Sequence, residues 1–446
     1  MKRLTTILVA AAHTIVSAAE RQITHAAHGH ILTNTGVWSP DGQWIVYDVR
    51  SDESGSLFDG RRLEAVNVQT SQVEVLYESK EGACCGVATW QPHGTKIAFM
   101  LGPESPTDDW RYSPSHRQGM MVDFTKPGVA LNLDACDLTP PFTAGALRGG
   151  SHLHVWDASG DWLSFTYNDA LVESEVRDVG VAVPAQAMRV SKSNPRNHDG
   201  NFFCALVTRT TTAPKPGSDE ISRAFEEAWI GTNGYVRSDG ARQPRALAFQ
   251  GNVITTHGAT ISEVFIADLP EDLTQPGDGS LAGTSEHRPW PPKGVTQRRL
   301  TFTSGRKFPG IQGPRHWLRS SPDGSRIGFL MKDDAGVVQL WTVSPNGGMP
   351  AQLTHNAHDI ASAFTWSSDG RSIAHVMDNS VCVTDASTGE TSRMTPRCED
   401  ASAPRPEACV FSPDGKKIAF VRRRKTDEVE ANQICVVFLE GDISTK

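Results

Sequence analysis

Histidine is the residue type in this sequence whose placement suggests chemistry. The chain has 15 histidines among 446 residues, and eight of them lie just ahead of a strand pattern that repeats along the chain. An imidazole can bind a divalent metal ion or accept a proton near neutral pH. The histidines in these segments are His25, His28, His30, His152, His154, His316, His355 and His358.

Two arginines, Arg148 and Arg315, lie in the same segments. His152 and His154 are two residues apart on a stretch predicted to be extended, so both side chains should face one side and suit a shared metal ion. The same spacing also suits two polar groups that face the core. A single histidine in a turn generally makes only a surface hydrogen bond, and this interpretation stays open for each of them.

A repeat of roughly 50 residues must position these side chains. Residues 299–354 hold one complete copy, with four short strand patterns separated by turns. The turn between the first and second strands is Ser-Pro-Asp-Gly or a close variant, in which proline presets φ, aspartate bonds to its own backbone and glycine accepts a positive φ. This turn recurs at 38–42, 90–94, 156–160, 320–324, 366–370 and 411–415.

Four antiparallel strands per repeat predict an all-β fold, a seven-bladed β-propeller in one domain over residues 20–446. Six blades follow from the six turns. A degenerate blade is predicted between them, with strands at 202–208, 245–250, 263–269 and 299–302. An outer-strand signature, Arg/Gln-x-Thr, also occurs at 21–24, whereas the last blade ends after its third strand. Residues 21–24 should therefore complete that blade and close the ring.

Two insertions interrupt the repeat, at 103–117 and at 210–239. The second contains an acidic stretch followed by 221–230, which predicts a short helix with Ser218 as its N-cap.

Charge and composition limit the partners. The formal net charge is −8, and the absence of a long basic run argues against nucleic acid. No apolar stretch is long enough to predict membrane insertion. Lys2 and Arg3 precede an apolar stretch and small residues, which predicts a signal peptide at 1–19 and a periplasmic or secreted protein. The alternative is a plain N-terminal extension on a cytoplasmic protein.

The eight cysteines are an even number, which an exported protein could pair. Cys398 and Cys409 flank one predicted loop and form the most plausible bridge. No Cys-x-x-Cys pair is present, which argues against a thiolate zinc site. The sequence also lacks the Gly-x-Ser-x-Gly elbow of serine hydrolases.

The repeat resembles that of TolB-like propellers. Residues 30–50, 149–169, 217–231 and 314–317 resemble the YidR-type bacterial family, a likeness that implies the fold more than an activity. The repeat is also similar to that of the oligogalacturonate lyases, seven-bladed propellers with a histidine-held manganese ion in the channel mouth. Their histidines sit just ahead of the turn, as His154 and His316 do.

This resemblance implies a lyase, or a hydrolase, for uronate-containing oligosaccharides, with manganese or a similar divalent ion at the channel mouth. We expect His152, His154 and His355 to hold the ion. Arg315 would help to neutralise the sugar carboxylate and His316 would act as the base, because a neutral imidazole is matched to pH 7. Arg148 and His30 would bind substrate. An aromatic content of 7% favours short substrates.

The second hypothesis is a non-catalytic scaffold that binds envelope proteins or a small ligand at the channel mouth, since propellers are often interaction modules. We expect a monomer in either case.

Overall fold

The computed structural model describes residues 19–52, 54–173, 175–314, 317–425 and 429–439. Within these ranges the strands form seven four-stranded antiparallel sheets and one two-stranded hairpin. The sheets are the blades of one propeller ring, so the predicted all-β, seven-bladed architecture is confirmed. No helix among the described residues is long and apolar enough to cross a membrane.

The described residues begin with one short strand, which is followed by three blades, each in the order inner to outer. The first strand is β1 (Ala19–Gln22). Blade 1 consists of β2 (Gly29–Ile31), β3 (Trp44–Arg50), β4 (Arg62–Asn67) and β5 (Val73–Glu78). Blade 2 consists of β6 (Cys85–Trp90), β7 (Lys96–Leu101), β8 (Gln118–Asp123) and β9 (Ala130–Asn132). Blade 3 consists of β10 (Gly149–Trp156), β11 (Leu163–Asp169), β12 (Asp178–Met188) and β13 (Gly200–Leu206).

Four more blades complete the ring, and two short 3-10 helices cover Pro114–His116 and Asp400–Ser402. Blade 4 consists of β14 (Ala224–Trp229), β17 (Ala246–Ile254), β18 (Thr260–Asp268) and β19 (Thr296–Arg299), with the hairpin β15 (Tyr235–Val236) and β16 (Arg242–Gln243) inserted. Blade 5 consists of β20 (Arg319–Ser320), β21 (Ile327–Lys332), β22 (Val338–Val343) and β23 (Ala351–Gln352). Blade 6 consists of β24 (Thr365–Trp366), β25 (Ser372–Met377), β26 (Ser380–Asp385) and β27 (Thr391–Arg393). Blade 7 has β28 (Pro404–Phe411), β29 (Lys417–Lys425) and β30 (Glu430–Phe438).

The ring closes as predicted, because β1 pairs antiparallel with β30 and becomes the outer strand of blade 7. Ile23 continues the pairing through its N–H to the carbonyl of Ile434, at 2.9 Å. The carboxylate of Glu20 contacts both Arg422 and Arg424 of β29. The closure leaves neither end of the ring as an open sheet edge.

The repeated turn has the geometry that its residues predict. In blade 5 the Ser321 hydroxyl donates to the Asp323 carboxylate at 2.6 Å, and Gly324 has φ 72°. The outer-strand threonines also form hydrogen bonds with nearby backbone. The N–H of Leu340 donates to Thr354 Oγ1 at 3.0 Å, so the threonine satisfies the backbone of the neighbouring strand.

Blade 4 differs from the prediction. Residues 224–229, expected in a helix, form the innermost strand β14 instead, and its strand pairing with β17 overrides the local helical pattern. Residues 202–208 do not begin blade 4, because β13 is the outer strand of blade 3. The predicted bridge between Cys398 and Cys409 is not formed. All eight cysteines are free, and Cys409 lies fully buried within β28.

Candidate functional site

Bulges in the innermost strands direct side chains toward the axis of the ring. The pairing of the innermost strand shifts register in blades 2, 3 and 4. One residue in each bulge has left-handed backbone geometry: Val87 at φ 58°, Leu153 at φ 61° and Glu226 at φ 55°. Such angles are uncommon outside glycine, and bulges re-aim side chains beside functional sites. Val87 and Leu153 consequently pack with Met100 and Trp317 in one apolar cluster.

This cluster forms part of the wall of a cavity of about 230 Å³ at the centre of the ring, here called the axial pocket. Residues of the innermost strands of blades 1, 2, 3 and 7 line it, together with the loops that follow β3 and β7. Its polar and aromatic lining residues include Arg50, Phe58, Tyr112, Arg117, His152 and Glu407.

Two arginines line this pocket with His152, and a third arginine contacts that histidine from behind. Arg50 donates to Asp48 at 2.7 Å and stacks over Phe58, with its guanidinium carbon 4.8 Å from the ring centre. Arg117 Nε donates to the Tyr112 hydroxyl at 3.2 Å. Each guanidinium carries five N–H groups in a fixed fork, so each keeps donors for a ligand.

Arg177 lies behind His152. Its Nη2 donates to Thr166 Oγ1 at 2.9 Å and lies 3.4 Å from His152 Nδ1. The Thr166 hydroxyl is also 3.4 Å from His152 Nδ1. Arg177 can only donate, so its contact favours a lone pair on Nδ1, whereas a proton on Nδ1 shared with the Thr166 hydroxyl would leave the lone pair on Nε2.

Burial lowers the pKa of His152 well below its ordinary value, and the positive charges of Arg117 and Arg177 lower it further. The imidazole is therefore neutral at pH 7 and keeps a lone pair for a proton, while the same burial and positive charges make it a weaker base than a free imidazole. The axial pocket thus offers cationic donors and a neutral base. Outside this pocket, burial has the opposite effect on a carboxylic acid of blade 4, because it raises the pKa of Glu227 to about 7.

The predicted metal ligands do not come together around one point. His152 lies at the pocket, but the fully buried His154 packs beside Phe165, with ring centres 5.8 Å apart, and against the backbone of Gly119. The register shift between His152 and Val155 breaks the simple alternation that would have placed both rings on one side. His355 is exposed after β23, where its Nδ1 lies 3.1 Å from Gln352 Nε2.

Arg148, another predicted site residue, is buried in an ion pair. Arg148 is 1% exposed, and its Nε donates to Asp169 at 2.8 Å. Its remaining nitrogens donate to the carbonyl groups of Thr284 and His287, so it anchors a loop of blade 4 and does not face the pocket. Arg315 and His316 lie outside the described residues.

His30 lies away from the axial pocket, between blades 1 and 7. It is 1% exposed and its ring stacks on His28, with centres 4.7 Å apart. Glu64 of β4 completes a group of three whose ligand atoms lie within 4.8 Å of one another. Among the described residues it is the one group of three or more histidine, cysteine or acidic side chains with this spacing. These three residues are called the inter-blade site below.

Sequence reasoning missed Arg50, Arg117 and Arg177. Arg50 ends the second strand of blade 1, two residues after its partner Asp48, and this Asp-x-Arg spacing is the one local signal available. Nothing local marks Arg177, because its position beside His152 depends on the packing of blade 3.

Comparisons with known proteins agree with the fold. Residues 84–198 match the family model described as "Protein of unknown function (DUF3748)". The chain is 45% identical over 412 residues to "Uncharacterized protein YidR" of Escherichia coli strain K12, covering 90% of this chain and 95% of the relative. Among solved structures, an oligogalacturonate lyase in complex with manganese aligns with a TM-score of 0.52 at 11% identity, over 96% of this chain and 98% of that one. TolB from Acinetobacter baumannii aligns with a TM-score of 0.37 at 14% identity, over 90% of this chain and 81% of that one.

Proposed function

The chain belongs to the YidR family, and we propose that it binds a short uronate-containing oligosaccharide in the axial pocket and cleaves it by β-elimination. One observation carries the proposal: Arg50, Arg117 and a neutral histidine, His152, line a cavity of about 230 Å³, and Arg177 lies 3.4 Å from the histidine. A cavity of this size suits one or two sugar rings rather than a polymer.

Arg50 and Arg117 line the pocket and are the carboxylate-binding groups of the proposal. Planar guanidinium groups bind carboxylates bidentately, and these bonds strengthen in a site with little water. Neutralising the carboxylate makes the hydrogen on the adjacent sugar carbon more acidic. The same contact orients that hydrogen toward a base.

His152 is the proposed base. Its unprotonated ring nitrogen removes the proton from the carbon beside the carboxylate, and the electron pair of that C–H bond forms the new carbon–carbon double bond. The bond from the next carbon to the glycosidic oxygen breaks at the same time. The leaving oxygen takes a proton from Tyr112, whose phenol is kept protonated because partial burial raises its pKa. Exposure of 38% lets this phenol regain its proton from water.

The named activity of the solved oligogalacturonate lyase, which shares this fold, makes oligogalacturonate the first ligand to test. A manganese ion held by His152, His154 and His355 finds no support, because these three are not a group with metal-ligand spacing among the described residues. No step is therefore assigned to a metal ion at the axial pocket.

Export remains part of the proposal, because residues 1–19 have the charge and apolar pattern of a signal peptide. Cell fractionation with an antibody against the mature chain tests this point. Recovery in the periplasm or medium supports it, and recovery only in the cytoplasm contradicts it.

The elimination is tested with trigalacturonate and the full-length protein, by following the ultraviolet absorbance of the unsaturated product. We expect activity in the native protein, a loss of about 10²- to 10⁴-fold in His152→Gln, and no change in His355→Gln, whose parent side chain is exposed and remote. Calorimetry should show that His152→Gln still binds the sugar. A native protein that binds trigalacturonate without cleaving it would refute the catalytic step. One that neither binds nor cleaves it would favour the scaffold hypothesis.

A further inference from the structure

The inter-blade site lies on the face of blade 1 that packs against blade 7. His30, Tyr47 and Glu64 come from three neighbouring strands, and the register places them on one face of the sheet. His28 precedes His30 by two residues and stacks on it at an interplanar angle of 29°. Neither histidine nor Glu64 lines the axial pocket, so the two sites are separate.

His30 makes the kind of hydrogen bond that orients metal-binding histidines. Its Nδ1 lies 3.0 Å from the backbone carbonyl of Asn432 in blade 7, which can accept only a hydrogen bond. Nδ1 therefore carries the proton, and Nε2 keeps its lone pair. That Nε2 is buried with no hydrogen-bond partner among the described residues, a costly arrangement for a polar atom.

His28 supplies a second nitrogen of the same kind. Its Nε2 is also buried without a hydrogen bond, and it lies 3.8 Å from Glu64 Oε2. The rest of its side chain is more open, with 37% of the side chain exposed. The ring can therefore adjust, and one side of the group faces solvent.

Glu64 supplies the negative charge. Its side chain is 5% exposed, and Oε2 accepts a hydrogen bond from the Tyr47 hydroxyl at 2.8 Å. Tyr47 is itself 1% exposed and thus fixes the carboxylate. A carboxylate oriented by a buried hydroxyl is the usual outer support of a metal ligand.

From this geometry we propose that His28, His30 and Glu64 bind one divalent transition-metal ion, with zinc as the best-matched probe. Two imidazole nitrogens and one carboxylate suit zinc, with a fourth position open to water. A tetrahedral ion holds its ligand atoms about 3–3.5 Å apart, so the group, within 4.8 Å, needs only a small movement of His28 to contract around it.

Such an ion would have a structural consequence at the ring closure. Residues 23–28 join the closing strand β1 to blade 1, and Gln433 of blade 7 already holds this segment through the carbonyl of Ala26 at 2.9 Å. A metal bound by His28 would fix the end of the same segment to Glu64. Binding to the folded state alone raises its stability.

The test uses full-length protein stripped of metal by chelation, titrated with zinc chloride in a calorimeter and melted with and without zinc. We expect one zinc per chain and a melting temperature that rises with zinc concentration. Glu64→Gln and His28→Ala should each weaken zinc binding at least tenfold. The matched control is His25→Ala, which removes an exposed histidine of the same segment and should bind zinc as the native protein does.

His28→Ala keeps the test decisive if Glu64→Gln fails to fold, because His28 is partly exposed. Cobalt(II) provides a second measurement, since a His/His/Glu site should give the visible absorption of a four-coordinate ion. Absence of stoichiometric zinc binding, or equal binding by the native protein and His28→Ala, would overturn the proposal. Neither result depends on whether the axial pocket cleaves a sugar.

Discussion

The axial pocket and the inter-blade site both contain histidine, but the charge beside the imidazole has opposite sign in the two places. His152 is surrounded by Arg50, Arg117 and Arg177, whereas His28 and His30 lie beside Glu64. The first environment attracts an anion and keeps the histidine neutral. The second attracts a cation. The chemistry of a histidine therefore depends on the residues that neighbouring strands place beside it, and not on its position in the repeat.

The largest effect should come from reversing a charge in the axial pocket. Arg117→Glu removes a cationic donor and places a carboxylate where the sugar carboxylate would bind, so trigalacturonate affinity should fall about a thousandfold, or ~4 kcal/mol. Zinc binding at the inter-blade site should not change. Calorimetry with each ligand checks both statements.

The control for this variant is Arg371→Glu, because the Arg371 side chain is 86% exposed. It makes the same change in net charge far from the pocket. Equal losses in the two variants would show that overall charge, rather than the pocket, governs binding.

A smaller effect is expected at His154, the buried histidine that the sequence pattern grouped with His152. Burial lowers the pKa of His154 to about 4, whereas a histidine in the unfolded chain has a pKa near 6.5. Between these values the unfolded chain binds more protons, so stability is complete above about pH 6.5 and is lost as pH falls toward 4. His154 should contribute about 3 kcal/mol to this loss.

Urea unfolding at several pH values measures this loss of stability. His154→Leu should make the acid-induced loss of stability shallower, while His355→Leu should leave the slope unchanged because His355 is exposed. An identical slope in His154→Leu and the native protein would contradict the burial of a neutral ring. Other buried histidines such as His375, whose pKa burial also lowers to about 4, keep some pH dependence in every variant.

Removal of the Tyr47 hydroxyl tests how the carboxylate of the inter-blade site is oriented. Tyr47→Phe removes the hydrogen bond that orients Glu64, so zinc affinity should fall about tenfold while sugar binding stays the same. Tyr77→Phe is the control, because Tyr77 is a buried blade 1 tyrosine with no hydrogen bond to Glu64. Isothermal titration with zinc distinguishes the two variants, and equal affinities would contradict the role given to Tyr47.

The smallest effect belongs to the blade edge that holds His355, outside both sites. Thr354→Val leaves the backbone N–H of Leu340 and the side-chain Oε1 of Gln339 without their hydroxyl partner. Stability should fall by about 1 kcal/mol, with no change in zinc or sugar binding. Urea denaturation gives the first quantity, and a loss of ligand binding would show that this edge is functional.

The propeller ring could be predicted because the interactions that define its turns and strands join residues that are close in sequence. The turn at Ser321–Gly324 uses side chains that act on their own backbone, and the closing strand carries the same threonine signature as the other blades. The site could be predicted only in part. The sequence pattern selected His152 as a candidate, and this residue lines the axial pocket, but the bulge at Leu153 that separates it from His154 depends on the pairing of two strands. Arg177 and Glu64 reach their sites only through packing that no spacing in the chain records.

Calorimetric titration of the full-length protein with digalacturonate, beside its neutral counterpart digalactose, tests the central claim most directly. The two sugars differ in their carboxylates, which are the groups that Arg50 and Arg117 are proposed to bind. We expect digalacturonate to bind with one-to-one stoichiometry and digalactose to bind at least a hundredfold more weakly. Equal affinity for the two sugars, or no binding of digalacturonate, would contradict an anion-binding axial pocket.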